Sequence, residues 1–139
     1  MIQFIDWETS DMRKHFVEFI GRPNRMHTDR ARVTLSYRGV FVLNGKAYEA
    51  LEMPAAVTLH YDEDERVIAL KPVDARLPNA FPVKQKDNFK YRMINASPFC
   101  RHFRIRIERT VLFNEVDIDN DGVMMLELRN TTSIARGRW

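Results

Sequence analysis

The sequence predicts a mainly β fold with short helices (α+β), and three observations carry that prediction. Runs of Val, Ile, Leu, Thr, Tyr and Phe bounded by Gly, Pro, Asn or Asp recur along the chain, as strands closed by turns do. Helical stretches are few and short, and the two regular ones follow an asparagine, Asn44 or Asn95. The order strand, short helix, strand, charged turn, strand occurs twice, over residues 32–73 and 89–128.

Residues 1–31 read as an N-terminal helical arm. Ser10 or Asp11 caps a short helix, because a side-chain oxygen there accepts from an otherwise unpaired backbone N–H. Phe16, Phe19 and Ile20 follow at helical spacing, and Gly21 and Pro23 stop the helix. Residues 32–43 read as one strand, with Gly39 as a bulge or bend. Asn44 caps a helix over residues 45–52 with Tyr48 and Leu51 facing inward, and Met53 and Pro54 end it. Residues 57–61 and 67–71 are strands around a charged hairpin turn at 62–66. Residues 74–88, holding Pro78 and Pro82, read as a connector.

The second copy repeats this order. Residues 89–94 form a strand, and Ser97 caps a helix with Pro98 at its first position, where the missing N–H costs nothing. Phe99, His102 and Phe103 give that helix its inner face. Residues 110–118 read as a strand, 119–122 as a turn and 123–128 as the return strand. Residues 129–139 form a basic tail. Laid over each other, the halves place Val42 against Met93, Asn44 against Asn95, Tyr48 against Phe99 and Ile68 against Met124.

The 139 residues match the size of one domain, and the composition is that of an ordinary globular chain, with 45 % hydrophobic and 29 % charged residues. A net charge of only +3 excludes a histone-like polycation, so any nucleic-acid affinity has to come from local charge. Cys100 is the single cysteine, which excludes an internal disulfide. The N-terminus lacks the pattern of a signal peptide, and no apolar run approaches the roughly 20 residues that span a bilayer. A cytoplasmic protein with no membrane association is therefore expected.

Local charge is segregated along the chain. Residues 84–109 hold eight basic side chains against Asp87 and Glu108, whereas residues 110–128 hold five acidic side chains and no basic one. Kept apart in space, these runs give one positive face able to neutralise phosphates; paired with each other, they cancel. Strand alternation points Lys90 and Arg92 away from Phe89, Tyr91 and Met93. In the first copy it places Arg32, Thr34, Ser36 and Arg38 on one face opposite Val33, Leu35 and Tyr37. Arginines on an exposed strand grip phosphate bidentately or read guanine edges.

Other chemistry finds less support. Asp117, Asp119, Asp121 and Gly122 begin like a calcium loop, but the twelfth position is Leu128 instead of a bidentate glutamate, and a hairpin turn explains them better. His15, His27, His60 and His102 lack the spacing of a zinc site. Cys100 beside Arg101 has a setting that can lower a thiol pKa, although a lone cysteine is more often buried. No nucleophile elbow, phosphate-binding glycine loop or dinucleotide fingerprint occurs, so no catalytic residue, metal or cofactor is assigned and no enzyme is expected.

Several stretches of the first unit carry a family resemblance: residues 40–44, Ala47 to Leu51, Met53 with Pro54, residues 56–61, and residues 67–72 ending in Lys71 and Pro72. Their order resembles the swapped-hairpin family of AbrB, MazE and SpoVT-like domains. The second half matches more loosely, with His102 at the place of Leu51. Two such units in one chain resemble the MraZ arrangement. The resemblance implies an internal pseudo-dimer forming one barrel, and a DNA-binding transcriptional regulator or antitoxin-like protein. On that reading Arg32, Arg38, Lys46, Lys90, Arg92 and Arg101 contact double-stranded DNA. The alternative is a non-enzymatic interaction scaffold, in which Phe4, Ile5, Trp7, Phe16 and Phe19 of the arm dock on a protein partner or a second copy. A small-ligand barrel or enzyme is a third reading.

Overall fold

The computed structural model describes residues 30–86, 88 and 90–134. The predicted arm up to residue 29, the predicted strand start at Phe89, and Arg136, Arg138 and Trp139 of the tail lie outside the described residues.

The first unit opens with β1 (Val33–Leu35) and β2 (Val40–Asn44). One strand was expected over residues 32–43, and a hairpin is found. The Ser36 N–H donates to the Val40 carbonyl at 3.0 Å and the Gly39 N–H to the Ser36 carbonyl at 2.9 Å. Gly39 is the turn residue, at φ +84, a backbone conformation that L side chains resist. α1 (Gly45–Ala50) follows, then β3 (Ala56–Asp62) and β4 (Val67–Val73). The expected connector contributes two short strands of its own, β5 (Phe81–Pro82) and β6 (Lys84–Lys86). β7 (Tyr91–Asn95), α2 (Ser97–His102), β8 (Val111–Phe113), β9 (Asp117–Ile118) and β10 (Met124–Glu127) complete the second copy. Part of the tail forms β11 (Thr131–Ser133).

These strands make two sheets. The six-stranded sheet runs β11-β8-β1-β2-β7-β6 and the five-stranded sheet β5-β3-β4-β10-β9. Among the described residues the fold is thus mainly β with two short helices. The expected barrel does not close among the described strands, because each sheet ends in strands with one unpaired edge.

Strands from the two halves stitch both sheets, through β1–β8 and β2–β7 in the first and β4–β10 in the second. In β2–β7, Val42 faces Met93, flanked by Phe41 with Ile94 on one side and Leu43 with Arg92 on the other. In β4–β10, Ala69 faces Met125, flanked by Leu70 with Met124 and Ile68 with Leu126. Under the alignment of the halves, each of these flanking pairs is the image of the other. The helices match as well. α1 ends with the Met53 N–H donating to the Tyr48 carbonyl at 3.0 Å, and α2 with the Ile105 N–H donating to the Cys100 carbonyl at 2.9 Å. Glu52 and Arg104 take the left-handed conformation between, at φ 67 and 57.

The second half departs from the first at residues 110–118. One strand was expected, but β8 lies in the first sheet and β9 in the second. Asn114 makes the break. Its backbone N–H donates to the Asn130 carbonyl at 3.0 Å, its side-chain amide donates to Asn130 Oδ1 at 3.0 Å, and its Oδ1 accepts from Thr132 at 2.9 Å. This polar clamp ends β8 and frees the chain to change sheets.

One core fills the space between. Phe41, Leu43, Ile94 and Phe113 from the first sheet join Val57, Ile68, Leu70, Met124 and Leu126 from the second, closed by Ala47, Leu51 and Phe99. Leu51 and Phe99 are buried as expected, while Tyr48 and Phe103 are half-buried. Tyr48 lies at the margin because its hydroxyl donates to the Pro54 carbonyl at 2.8 Å. Among the described residues no helix is long and apolar enough to cross a membrane.

Candidate functional site

Antiparallel pairing of β2 with β7 gives this pair of strands two ends. At one end Val40 faces Asn95, beside the β1–β2 turn and the start of α2; at the other Asn44 faces Tyr91, beside the start of α1. The six basic residues singled out from the sequence divide between these ends.

Arg38 and Arg101 meet at the first end. They line an open groove of about 740 Å³ together with Tyr37, Ser97, Arg104, Arg106 and Glu108. Two backbone contacts shape it. The Ala96 N–H donates to the Gly39 carbonyl at 2.7 Å, and a Cβ on Gly39 would stand 2.9 Å from Ser97 Cα. The hairpin tip therefore seats directly on the first residues of α2. Arg101 donates to Ser97 Oγ at 2.8 Å, which holds its guanidinium over that first turn. Ser97 is not the helix cap that was expected. It sits inside the helix, and Asn95 Oδ1 accepts from its N–H at 3.2 Å.

Among the described residues, no carboxylate forms an ion pair with Arg38, Arg101, Arg104 or Arg106; the ion pairs that occur are Arg76 with Asp74 and Arg129 with Glu65. The acidic run therefore leaves these four arginines without ion-pair partners, and Glu108 is the one carboxylate residue in the groove lining. Asp119, within that run, has its carboxylate engaged locally, accepting from the Asp121 and Val123 N–H groups at 2.8 and 3.0 Å in the β9–β10 turn. Gly122 occupies that turn at φ 81, as the hairpin reading requires.

Lys46, Lys90 and Arg92 belong to the other end. Lys46 and Lys90 are exposed. The expected outward phase of Arg92 is corrected. Buried Ile94 shares its side of β7, and Arg92 pairs with buried Leu43. Arg92 is half-buried at the core margin, its guanidinium carbon 4.5 Å from the centre of the Tyr48 ring. Its charge is spent on a cation–π contact within the fold. Arg32 is half-buried too, and lines a separate hollow of about 250 Å³ with Arg30, Glu115 and Asp117. Burial, and then the charge of Arg30, disfavour its charged form. The exposed face expected on β1 is absent: Val33, Thr34 and Leu35 are all buried.

Cys100 lies on the groove floor, and burial pushes its thiol above the ordinary value. Of the two settings weighed for this lone cysteine, the buried one is found, and not a thiol lowered by Arg101. Sequence reasoning missed Tyr37, Arg104 and Arg106. The two arginines stand within the basic run, but neither lies on a strand or at a helix start, the two positions that single out the other basic residues. Tyr37 was assigned an inward phase that holds only if β1 runs on through it. Neither a family model, nor a curated protein, nor a solved structure matches the chain.

Proposed function

We propose that the chain is a non-enzymatic, cytoplasmic DNA-binding regulator or antitoxin-like protein of AbrB/MraZ type, built from two like β-α-β-β units arranged as an internal pseudo-dimer. The observation that carries this reading is the groove at the Arg38 end, where four arginines stand without carboxylate partners. Guanidinium groups without ion-pair partners gathered in one groove suit phosphate oxygens, which accept their N–H groups in pairs. The matched registers of β2–β7 and β4–β10 support the duplicated unit. In this reading Arg38, Arg101, Arg104 and Arg106 grip one stretch of duplex backbone, and Lys46 and Lys90 reach another. Arg32 and Arg92 support the fold and leave the contact set.

Titration of fluorescein-labelled duplex DNA across a salt series tests the proposal. Phosphate neutralisation releases counterions, so log K falls with log salt by about 0.9 per phosphate contacted, and six contacts give a slope on the order of −5. A folded protein that binds no duplex at low salt overturns the reading.

A further inference from the structure

The groove holds one feature that duplex backbone contact does not use. Tyr37 stands at the β1–β2 hairpin tip, lines the groove beside Arg38, and is 59 % exposed. The chain's other tyrosines are half-buried and engaged. Tyr48 lies under Arg92, Tyr61 packs edge-on to Phe99 at 6.2 Å, and Tyr91 is partnered within the fold. Among the described residues, no ring or cation stacks on Tyr37. Its backbone is nonetheless fixed, because the turn is closed by its own hydrogen bonds and seated on α2 through the Gly39 carbonyl.

An exposed tyrosine lining one groove with four arginines, against the single carboxylate of Glu108, is the chemistry that holds unpaired nucleotides. Every base offers a π-face for stacking, and the arginines hold the adjoining phosphates. Inside a duplex those faces are hidden in the base stack, so Tyr37 has nothing to stack on there. We infer that the groove takes a single-stranded segment of nucleic acid, one base stacked on Tyr37 and its neighbouring phosphates held by Arg38, Arg101 and Arg104. This rests on the nucleic-acid reading of the groove and narrows its ligand to an unpaired strand, as in an opened or distorted site.

The experiment measures anisotropy of a labelled 12-nucleotide single strand and of the matching duplex with the full chain, its Tyr37→Ala and Tyr37→Phe variants, and Arg101→Ala. The same strand carrying abasic positions is the third probe. Loss of one stacked base corresponds to a weakening of about 5- to 150-fold. Tyr37→Ala is expected to weaken the single strand by that range and the duplex less than twofold, with Tyr37→Phe close to the parent. Abasic positions should weaken the parent and leave Tyr37→Ala little changed, a coupling that a merely structural tyrosine would not produce. Arg101→Ala should weaken both ligands. Tight duplex binding with no single-strand binding, or equal losses on both ligands in Tyr37→Ala, overturns this inference and leaves the duplex reading standing. Binding to neither ligand by the folded protein overturns both.

Discussion

Single residues show where side-chain type decides the outcome. Leu51 is 1 % exposed at the C-cap of α1, wedged into the one core. Leu51→Ala should cost about 2–5 kcal/mol in chemical denaturation, since the cavity cannot fully collapse. The corresponding C-cap of α2 is Phe103, one place beyond His102, which the sequence alignment had set against Leu51. That slip was invisible in the sequence because α2 starts one residue later relative to its asparagine than α1 does. Arg104 separates stability from binding. Its left-handed backbone, φ 57, strains any side chain with a Cβ, whereas its guanidinium lines the groove. Arg104→Gly should therefore leave stability unchanged or raise it by about 0.5–1 kcal/mol, while weakening nucleic-acid binding. A variant that loses stability and binding together would mean that the side chain supports the groove instead of serving the ligand. Cys100, its thiol raised by burial, carries less thiolate at pH 8 than a free cysteine. Iodoacetamide should label it slowly until denaturant is added. The sign for stability follows: a folded-state thiol that keeps its proton longer contributes stability below the unfolded value of about 8.5, and loses it as pH rises beyond.

At the scale of elements, the two asparagines that announced the helices prove to be different devices. Asn44 is 1 % exposed; its Oδ1 accepts from the Ala47 N–H at 2.9 Å and the Arg32 N–H at 3.0 Å, and its amide donates to the Arg30 carbonyl at 2.8 Å. It caps α1 and ties the start of β1 to the end of β2. Asn95 is exposed and only turns the chain into α2. Asn44→Ala should cost about 2 kcal/mol or more by thermal or urea unfolding, and Asn95→Ala less than about 1 kcal/mol. Equal losses would show that the cap and the buried tie of Asn44 add nothing beyond the exposed turn contact that Asn95 makes. The two helices and the repeated order of strand, helix, strand, turn and return strand were legible, because they depend on local caps and apolar alternation, whereas β5, β6, β11, the break between β8 and β9 and the pairing of one half with the other were not. Strand phase was less so. A half-buried Arg92 on the core side of β7 looks, by alternation alone, like an outward residue, and only its pairing with Leu43 and its contact with Tyr48 reveal otherwise. The β1–β2 turn was hidden for a related reason, since Ser36, Tyr37 and Arg38 continue an alternating pattern and only Gly39 signals the break.

For the molecule as a whole, the sequence showed that charge is segregated but not where it gathers. The groove unites Arg38 from one half with Arg101, Arg104 and Arg106 from the other, a convergence that exists only once β2 pairs with β7. The two basic ends of that pair are separated by five paired positions, roughly 15–20 Å at about 3.3 Å per residue plus the turns. Two separated grips predict additive salt dependence. Arg38→Ala with Arg101→Ala should reduce the magnitude of the log–log salt slope by about 2 on duplex DNA, and Lys46→Ala with Lys90→Ala by a similar amount. All four residues are exposed, so each double variant should unfold close to the parent temperature. The four-residue variant should then show the sum of the two reductions. If the lysine pair changes neither affinity nor slope, the contact is confined to the arginine groove and the second end plays no part in binding. If the arginine pair leaves the slope intact, the groove does not touch phosphate, and the proposed mode of DNA binding falls with it.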